Sequence, residues 1–531
     1  MTQAEQSAPS ANQQIARAAG TVMAAFIISN LVGVVRGIVI TNAFGTSVEM
    51  DSFNAANRIA ELLFNLVAGG ALGSAFIPTF TGFLTREDRP GAWKMASGVI
   101  NLVFLALILI SVLAWVFAPQ IVRYGLYVLV PDAKMGQEAL TISLLRTMLP
   151  SVVIFGISGL VMGILNAYQV FLIPAIAPAM YSLGMILGTW LLPQEWGIQR
   201  LAIGVVGGAL LHLLVQIPKL LTLKGRVYHF FLGLHDKVVL EVFKLMGPRL
   251  LGVAVVQLNF IVNTIIALGQ PAGSVTAIAL AFTLMLMPEM AVAQSAAIAS
   301  LPTFSAQVAR GEVEEMRTSL ASTLRAVLIL AIPASVGLIL LRYPLIRVLY
   351  ERGEFTAHST ELVTWALLWY SAGLVGHALV EILSRAFYAM HDTRTPVSVG
   401  VVAMGLNIVL SLAFANLFTR LGWMPHGGLA LANSLATGLE SIALILLMRK
   451  RLKGLGKGYI WKGVAISALG TALMSAVVVG WQRLMAAQSN VVILFGALGL
   501  GVAVYGALMW ALKMPELMGM VRALVGKIRR K

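Results

Sequence analysis

The 531-residue chain contains no cysteine, and only 11% of its residues are charged. Without cysteine there is no disulfide, no thiolate metal site and no thiol nucleophile. A soluble domain carries roughly 25% charged residues to keep its surface in water, so most of this surface faces something else. Histidine is also scarce, with seven in the chain. None has a ligand partner at metal spacing. His212 and His377 are expected to pack within the apolar runs, and His229, His235 and His391 to face lipid headgroups. Three further signatures are missing: the Gly-x-x-x-x-Gly-Lys-Ser/Thr run that cradles nucleotide phosphates, the His-Glu-x-x-His zinc motif, and a Ser, His and Asp set. No enzyme, metal or cofactor is expected. No long hydrophilic insertion interrupts the chain, so no soluble catalytic domain is expected within it.

What the sequence has in quantity is hydrophobic residues, 59% of the total, arranged in runs of about 20. In hydrocarbon only helices and closed barrels satisfy their own backbone groups, and long runs without alternation select helices. The expected fold is therefore an all-α polytopic membrane protein of about 14 transmembrane helices. The spans open near Gly20, Phe53, Ala96, Ala139, Val170, Leu201, Leu240, Thr276, Leu320, Glu361, Val397, Gly428, Gly463 and Val491. An even number places both termini on one side. Most of the 38 Lys and Arg fall in the termini and in every second loop, which predicts that side to be cytoplasmic. The basic stretches Lys219 to Lys244, Arg449 to Lys462 and Lys513 to Lys531 suit anionic lipid headgroups. They account for much of the net charge of +16, and nucleic acid is not an expected partner. The polar start, Met1 to Gln14, leads into a span with no small-residue cleavage site after it, so it is expected to be retained.

An internal echo divides the chain. Ala75-Phe76-Ile77-Pro78-Thr79-Phe80 recurs as Ala299-Ser300-Leu301-Pro302-Thr303-Phe304. Asn166-Ala167-Tyr168 followed by Pro174 recurs as Phe387-Tyr388-Ala389 followed by Pro396, at nearly the same displacement. Two six-helix lobes related by pseudo-two-fold symmetry, with two C-terminal helices appended, are the expected organisation. The predicted segments are a cytoplasmic tail at 1–19, an N-terminal lobe at 20–222, a basic cytoplasmic loop at 223–239, a C-terminal lobe at 240–450, helices 13 and 14 at 451–513, and a basic tail at 514–531.

A charge at the bilayer centre costs on the order of 3 kcal/mol on insertion scales, so charges inside spans need a partner or a wet cavity. Asn54, Asn57, Arg58, Glu61 and Asn65 recur at helical spacing as one polar stripe on the second span. The stripe lines a cavity between lobes or acts as folding glue, and Arg58 and Glu61, one turn apart, can also neutralise each other. Arg36, amid Gly33, Val34, Val35 and Gly37, is the best single candidate for binding an anion, because its planar fork of donors matches phosphate oxygens. The alternative is a structural arginine bonded to carbonyls. Gln257, Asn259 and Asn263 in span 7, with Asn259 and Asn263 on one face, suit hydrogen bonds to sugar or peptide, or interhelical contacts. Glu289, after Pro288 in span 8, and Glu440 in span 12 can carry a proton or neutralise an arginine. Asn407 and Ser411, one turn apart, make a weak sodium site at best.

Four stretches resemble the MurJ/MviN lipid II flippases of the multidrug/oligosaccharidyl-lipid/polysaccharide exporter superfamily. They are Gly73-Ser74-Ala75-Phe76-Ile77-Pro78, Gly163 to Tyr168 with Pro174, Tyr350-Glu351-Arg352-Gly353-Glu354-Phe355, and Arg385 to Ala389 with Asp392-Thr393-Arg394-Thr395-Pro396. The resemblance implies two lobes around a cationic cavity, with helices 13 and 14 forming a groove for a polyprenyl tail. The implied activity is movement of lipid II, undecaprenyl-pyrophosphoryl disaccharide-pentapeptide, from the inner to the outer leaflet of the bacterial cytoplasmic membrane by alternating access. Arg36 keeps the second arginine of the family's Ser-Arg-x-x-Gly-x-x-Arg-Asp pattern, with Asn30 at the first arginine and Gly37 at the aspartate. Arg58 matches a usual basic position. Phe64 and Asn65 stand in place of an Arg-Arg pair, Gly69 in place of a glutamate, and Thr283 in place of the usual cavity arginine. The other readings are a flippase for another polyprenyl-linked glycan, a drug exporter of the same superfamily, or a non-transporting scaffold for cell-wall synthesis or division proteins. A monomer is expected, and an ion gradient or the membrane potential is the expected energy source.

Overall fold

The computed structural model describes residues 11–65, 75–130 and 136–514. The tail residues 1–10 and 515–531, together with Gly69, Gly73 and Ser74, lie outside the described residues. All regular structure among the described residues is helical.

Two compact units divide at Ile261/Val262. The first holds α1 (Ala11–Phe44), α2 (Val48–Phe64), α3 (Ile77–Thr85), α4 (Arg89–Val116), α5 (Gly136–Ala167), α6 (Leu172–Leu191), α7 (Gln199–Leu214) and the start of α8 (Lys237–Leu268). The second holds the end of α8, then α9 (Ser274–Glu289), α10 (Ser295–Ala309), α11 (Val313–Tyr350), α12 (Ala357–Ala389), α13 (Arg394–Arg420), α14 (His426–Arg451), α15 (Lys457–Leu484) and α16 (Asn490–Ala511). A π-helical turn, Met290–Gln294, joins α9 to α10.

Among the described residues, twelve helices are long and apolar enough to cross a membrane, with Ser274–Ala309 counted as one. The two other expected spans correspond to α2 and α8. α2, described over Val48–Phe64, carries the polar stripe. Within α8, Val256–Leu268 is a shorter apolar stretch among the described residues. Large exposed apolar side chains such as Leu109, Val402, Val409, Phe495 and Val502 are what a lipid-facing surface requires.

Local chemistry explains the close packing within the first unit. Gly184 and Gly188 of α6 meet Gly208 and Gly204 of α7. A Cβ on Gly188 would stand 2.5 Å from Gly204 Cα, and one on Gly184 would collide with the Gly208 backbone. Both helices thus use a small-x-x-x-small seam that lets backbones touch where lipid offers no hydrophobic drive for association. In the second unit, α15 and α16 pack on α11 through Ile329, Leu341, Met474, Val478, Leu494 and Ala497. Tyr505 Oη of α16 donates to the Ile329 carbonyl at 2.5 Å.

The two sequence echoes fold into the same turn in each unit. After α3, Glu87 takes φ 59°, and after α10, Gly311 takes φ 74°. The amide of the following residue bonds back five residues in both, Asp88 to Phe83 O at 3.0 Å and Glu312 to Gln307 O at 2.9 Å. After α5 and α12, Gln169 and His391 take φ 58° and 57°. Val170 bonds Leu165 O at 2.9 Å and Asp392 bonds Phe387 O at 3.0 Å. These are Schellman ends, a left-handed residue closing the last helical carbonyls. The echoed Phe80 and Phe304 are both fully buried.

Candidate functional site

α2 begins at Ser47, whose hydroxyl accepts from the Met50 amide at 3.2 Å. It turns Phe53, Ala55, Ala56, Ile59 and Ala60 inward, where the helix packs on α5. The polar stripe falls on the opposite face, and Asn54, Asn57, Arg58, Glu61 and Asn65 are all half-buried. Arg58 Nη1 pairs with Glu61 Oε2 at 2.8 Å, and Asn57 Nδ2 donates to Glu61 Oε1 at 3.0 Å. The Arg58 guanidinium also lies 4.9 Å from the centre of the Phe260 ring, a cation–π contact. The Asn65 amide caps the helix end on the Glu61 and Leu62 carbonyls.

Arg36 projects from α1 toward α6. Its Nη1 donates to Ser182 Oγ at 3.4 Å, and its guanidinium sits 5.9 Å from the Tyr181 ring centre. Guanidinium has five N–H donors, and among the described residues no carboxylate lies within ion-pair distance of it. Tyr181 is within electrostatic reach of both Arg36 and Glu61, so it links the α1 arginine to the α2 stripe. Phe155 of α5 braces Tyr181 edge-on at 4.9 Å and also touches Phe64 at 5.8 Å. Sequence reasoning missed Tyr181, Ser182, Phe155 and Phe260. They are neutral residues in apolar runs, and only their placement gives them a role. Asn30, two turns before Arg36, is exposed.

In the second unit the structure joins Asn263, Asn407 and Ser411. Asn263 Nδ2 donates to Asn407 Oδ1 at 3.0 Å, and Ser411 Oγ donates to Asn263 Oδ1 at 3.0 Å. Asn407 and Ser411 are buried, so this trio ties α8 to α13. In the part of α8 that belongs to the first unit, Asn259 is buried, and among the described residues the buried Oε1 of Gln257 accepts no hydrogen bond. Thr283 is exposed and donates back to the Ala279 carbonyl at 2.9 Å. Glu289 is 8% exposed, and Glu440 Oε1 lies 3.3 Å from where a Cβ on Gly400 would stand. Two surface depressions, of about 420 Å³ beside Arg146 and about 470 Å³ beside Lys94, are lined by none of these residues.

The model of the lipid II flippase MurJ family matches residues 40–498. The chain belongs to that family. It is 30% identical over 506 residues to the probable lipid II flippase MurJ of Vibrio cholerae, covering 92% of this chain and 94% of that one. It is likewise 30% identical over 512 residues to the lipid II flippase MurJ of Burkholderia cenocepacia, covering 93% and 97%. Among solved structures, a lipid II flippase MurJ in an inward closed conformation superposes with a TM-score of 0.76 at 24% identity, covering 92% of this chain and 97% of that one. An inward-facing multidrug resistance MATE transporter superposes at 0.64 and 15% identity, covering 82% and 98%. Both likenesses establish the fold. As a MurJ-family chain it is a multi-pass membrane transporter by family. The family motif Asp392 to Pro396 has a visible local task here. Asp392 accepts from the Thr395 amide at 3.0 Å and from Thr395 Oγ1 at 2.7 Å, and it pairs with Arg451 of α14. This fixes the entry into α13.

Proposed function

We propose that this protein is a lipid II flippase of the bacterial cytoplasmic membrane, with both termini in the cytoplasm, working as a monomer without a cofactor. It carries the pyrophosphate headgroup from the inner to the outer leaflet by alternating access. Family membership supports the substrate, and the observation that carries the residue assignment is the gathering of Arg36, Tyr181 and the Arg58–Glu61 pair within the first unit. Arg36 spends one long hydrogen bond on Ser182, and its remaining donors are available to pyrophosphate oxygens. Arg58 is held by Glu61 at rest and exchanges that carboxylate for phosphate when the substrate arrives. Glu61 then keeps the stripe near neutral once the substrate leaves. Within the first unit, Asn30, Asn57 and Asn65 supply neutral polar groups to the headgroup, and Gln257 and Asn259 supply them to the sugar and peptide. Helices α15 and α16, apolar on their outer faces, provide the groove for the polyprenyl tail, and the basic loops contact anionic lipid headgroups.

Expression of this chain in a bacterium depleted of its own flippase tests the reading. Restored growth and shape, lost when Arg36 and Arg58 are both changed to Ala, is the expected result. A well-expressed wild-type chain that gives no rescue, with lipid II retained on the inner leaflet, contradicts it.

A further inference from the structure

The second unit contains a buried carboxyl group that the headgroup site does not use. Glu289 closes α9 directly after Pro288 and directly before the π-helical turn Met290–Gln294. It is 8% exposed, and among the described residues neither a hydrogen bond nor a cation acts on its carboxyl group. A π-turn inside a transmembrane helix leaves the backbone ladder locally widened, a geometry concentrated at functional positions, and proline at 288 removes one more ladder bond.

The charges around Glu289 are few. From α12, Glu381 lies within electrostatic reach and is held by Arg385 at 2.8 Å. His377, one turn earlier, faces Phe282 of α9 and bonds Asn433 of α14. From α11, Arg325 is taken up by Tyr459 and Met514, and Arg342 donates to Ile339 O. From α14, Glu440 lies against Gly400 of α13. α10 carries no charged side chain. An ionised Glu289 therefore meets low-dielectric packing and a neighbouring carboxylate, while Arg385 is already engaged by that neighbour. Among the described residues no group of three His, Cys, Asp or Glu can hold a metal ion. A lone carboxyl without further oxygen ligands binds a proton and not a hard cation.

We propose that Glu289 is the proton-binding residue through which this flippase couples lipid II export to inward proton movement. The carboxylate takes one proton from the outside to become a neutral acid, and releases it to the cytoplasm as the carboxylate reforms. The neutral form lets the Pro288 and π-turn segment pack against α12. The ionised form is repelled by Glu381 and draws water, which opens that contact. The change in packing at the bend is the conformational step to which transport is tied. This proposal rests on the flippase reading, and its test separates the two.

The test uses the full chain in proteoliposomes containing lipid II. A gradient of one pH unit, acid on the outer side, is a factor of ten in proton activity, so it shifts the steady-state distribution of lipid II toward the outer leaflet about tenfold per coupled proton. Glu289→Gln, which cannot release a proton, is expected to lose that shift, whereas Glu289→Asp keeps it. Independently, infrared difference spectra of the protein without lipid II should show a protonated-carboxyl band that titrates with pH in the wild type and in Glu289→Asp and is missing in Glu289→Gln. A folded Glu289→Gln protein with an undiminished gradient response overturns the proposal, as does a titrating band unaffected by that substitution or a sodium gradient that replaces the proton gradient. Absence of lipid II movement in the wild type overturns the flippase reading alone, and the infrared titration then decides the proton site.

Discussion

Arg36 and Arg58 differ in how they are held, and the difference predicts how each responds to substitution. Arg36 has one weak hydrogen bond and an aromatic neighbour, so removing it takes away donors without leaving a buried carboxylate unpaired. A charge-assisted hydrogen bond contributes about 1.5–3 kcal/mol, which places the loss of lipid II affinity in Arg36→Ala at roughly ten- to hundredfold. Thermal stability should change little. Arg36→Lys should recover part of the affinity, because an ammonium keeps the charge and loses the bidentate fork. Arg58→Ala, in contrast, strips Glu61 of its partner and should lower both affinity and the thermal midpoint. Restoring the midpoint in Arg58→Ala combined with Glu61→Gln identifies the pair as the cause. Binding of lipid II measured beside thermal unfolding checks all four variants. The charges at both positions were legible in the sequence, because an arginine in an apolar run is conspicuous. Tyr181 and Ser182 were not, since nothing in their own chemistry separates them from other residues of an apolar helix.

At the scale of elements, two features make sharp predictions. The seam of Gly184, Gly188, Gly204 and Gly208 leaves no room for a side chain. Gly184→Leu should therefore destabilise the first unit by at least the roughly 1–3 kcal/mol typical of overpacking, visible as a lower thermal midpoint in detergent. Gly207→Leu on the same seam's second helix, α7, should be tolerated, because a Cβ at that position would meet no atom within 4 Å. At the entry to α13, the Thr395 amide and hydroxyl, with Arg451, hold the Asp392 carboxyl down from 3.8 to about 2. A depressed carboxylate contributes stability that is complete above its unfolded value and is lost as pH falls through its folded one. The difference in midpoint between wild type and Asp392→Ala should thus be full above pH 3.8 and vanish toward pH 2. The twelve long apolar spans were readable from hydropathy, and so was the repeat, since both pairs of echoes close on the same left-handed turn. The π-turn after Glu289 was not readable, because no residue type specifies the extra residue in a helical turn.

For the whole molecule, family membership supplies the fold, while the residues peculiar to this chain decide how it grips its substrate. In the proposed site Arg36 and Arg58 are the headgroup cations, and the sequence resemblance puts Asn30, Asn65 and Thr283 where the family pattern has arginine, so the proposal has fewer charges holding the headgroup. Salt should accordingly weaken lipid II binding less steeply than in a relative with the full arginine set. The absence of native cysteine makes topology directly measurable. Single cysteines at Gln488, between α15 and α16, and at Lys453, between α14 and α15, are both at exposed positions. An impermeant maleimide should label the first in intact cells and the second only after permeabilisation. The most direct measurement is lipid II translocation in proteoliposomes, wild type beside Arg36→Ala with Arg58→Ala at matched reconstitution. Rapid movement by the wild type and none by the double variant is the predicted result. Equal rates in the two proteins, or no movement in either, would contradict the account.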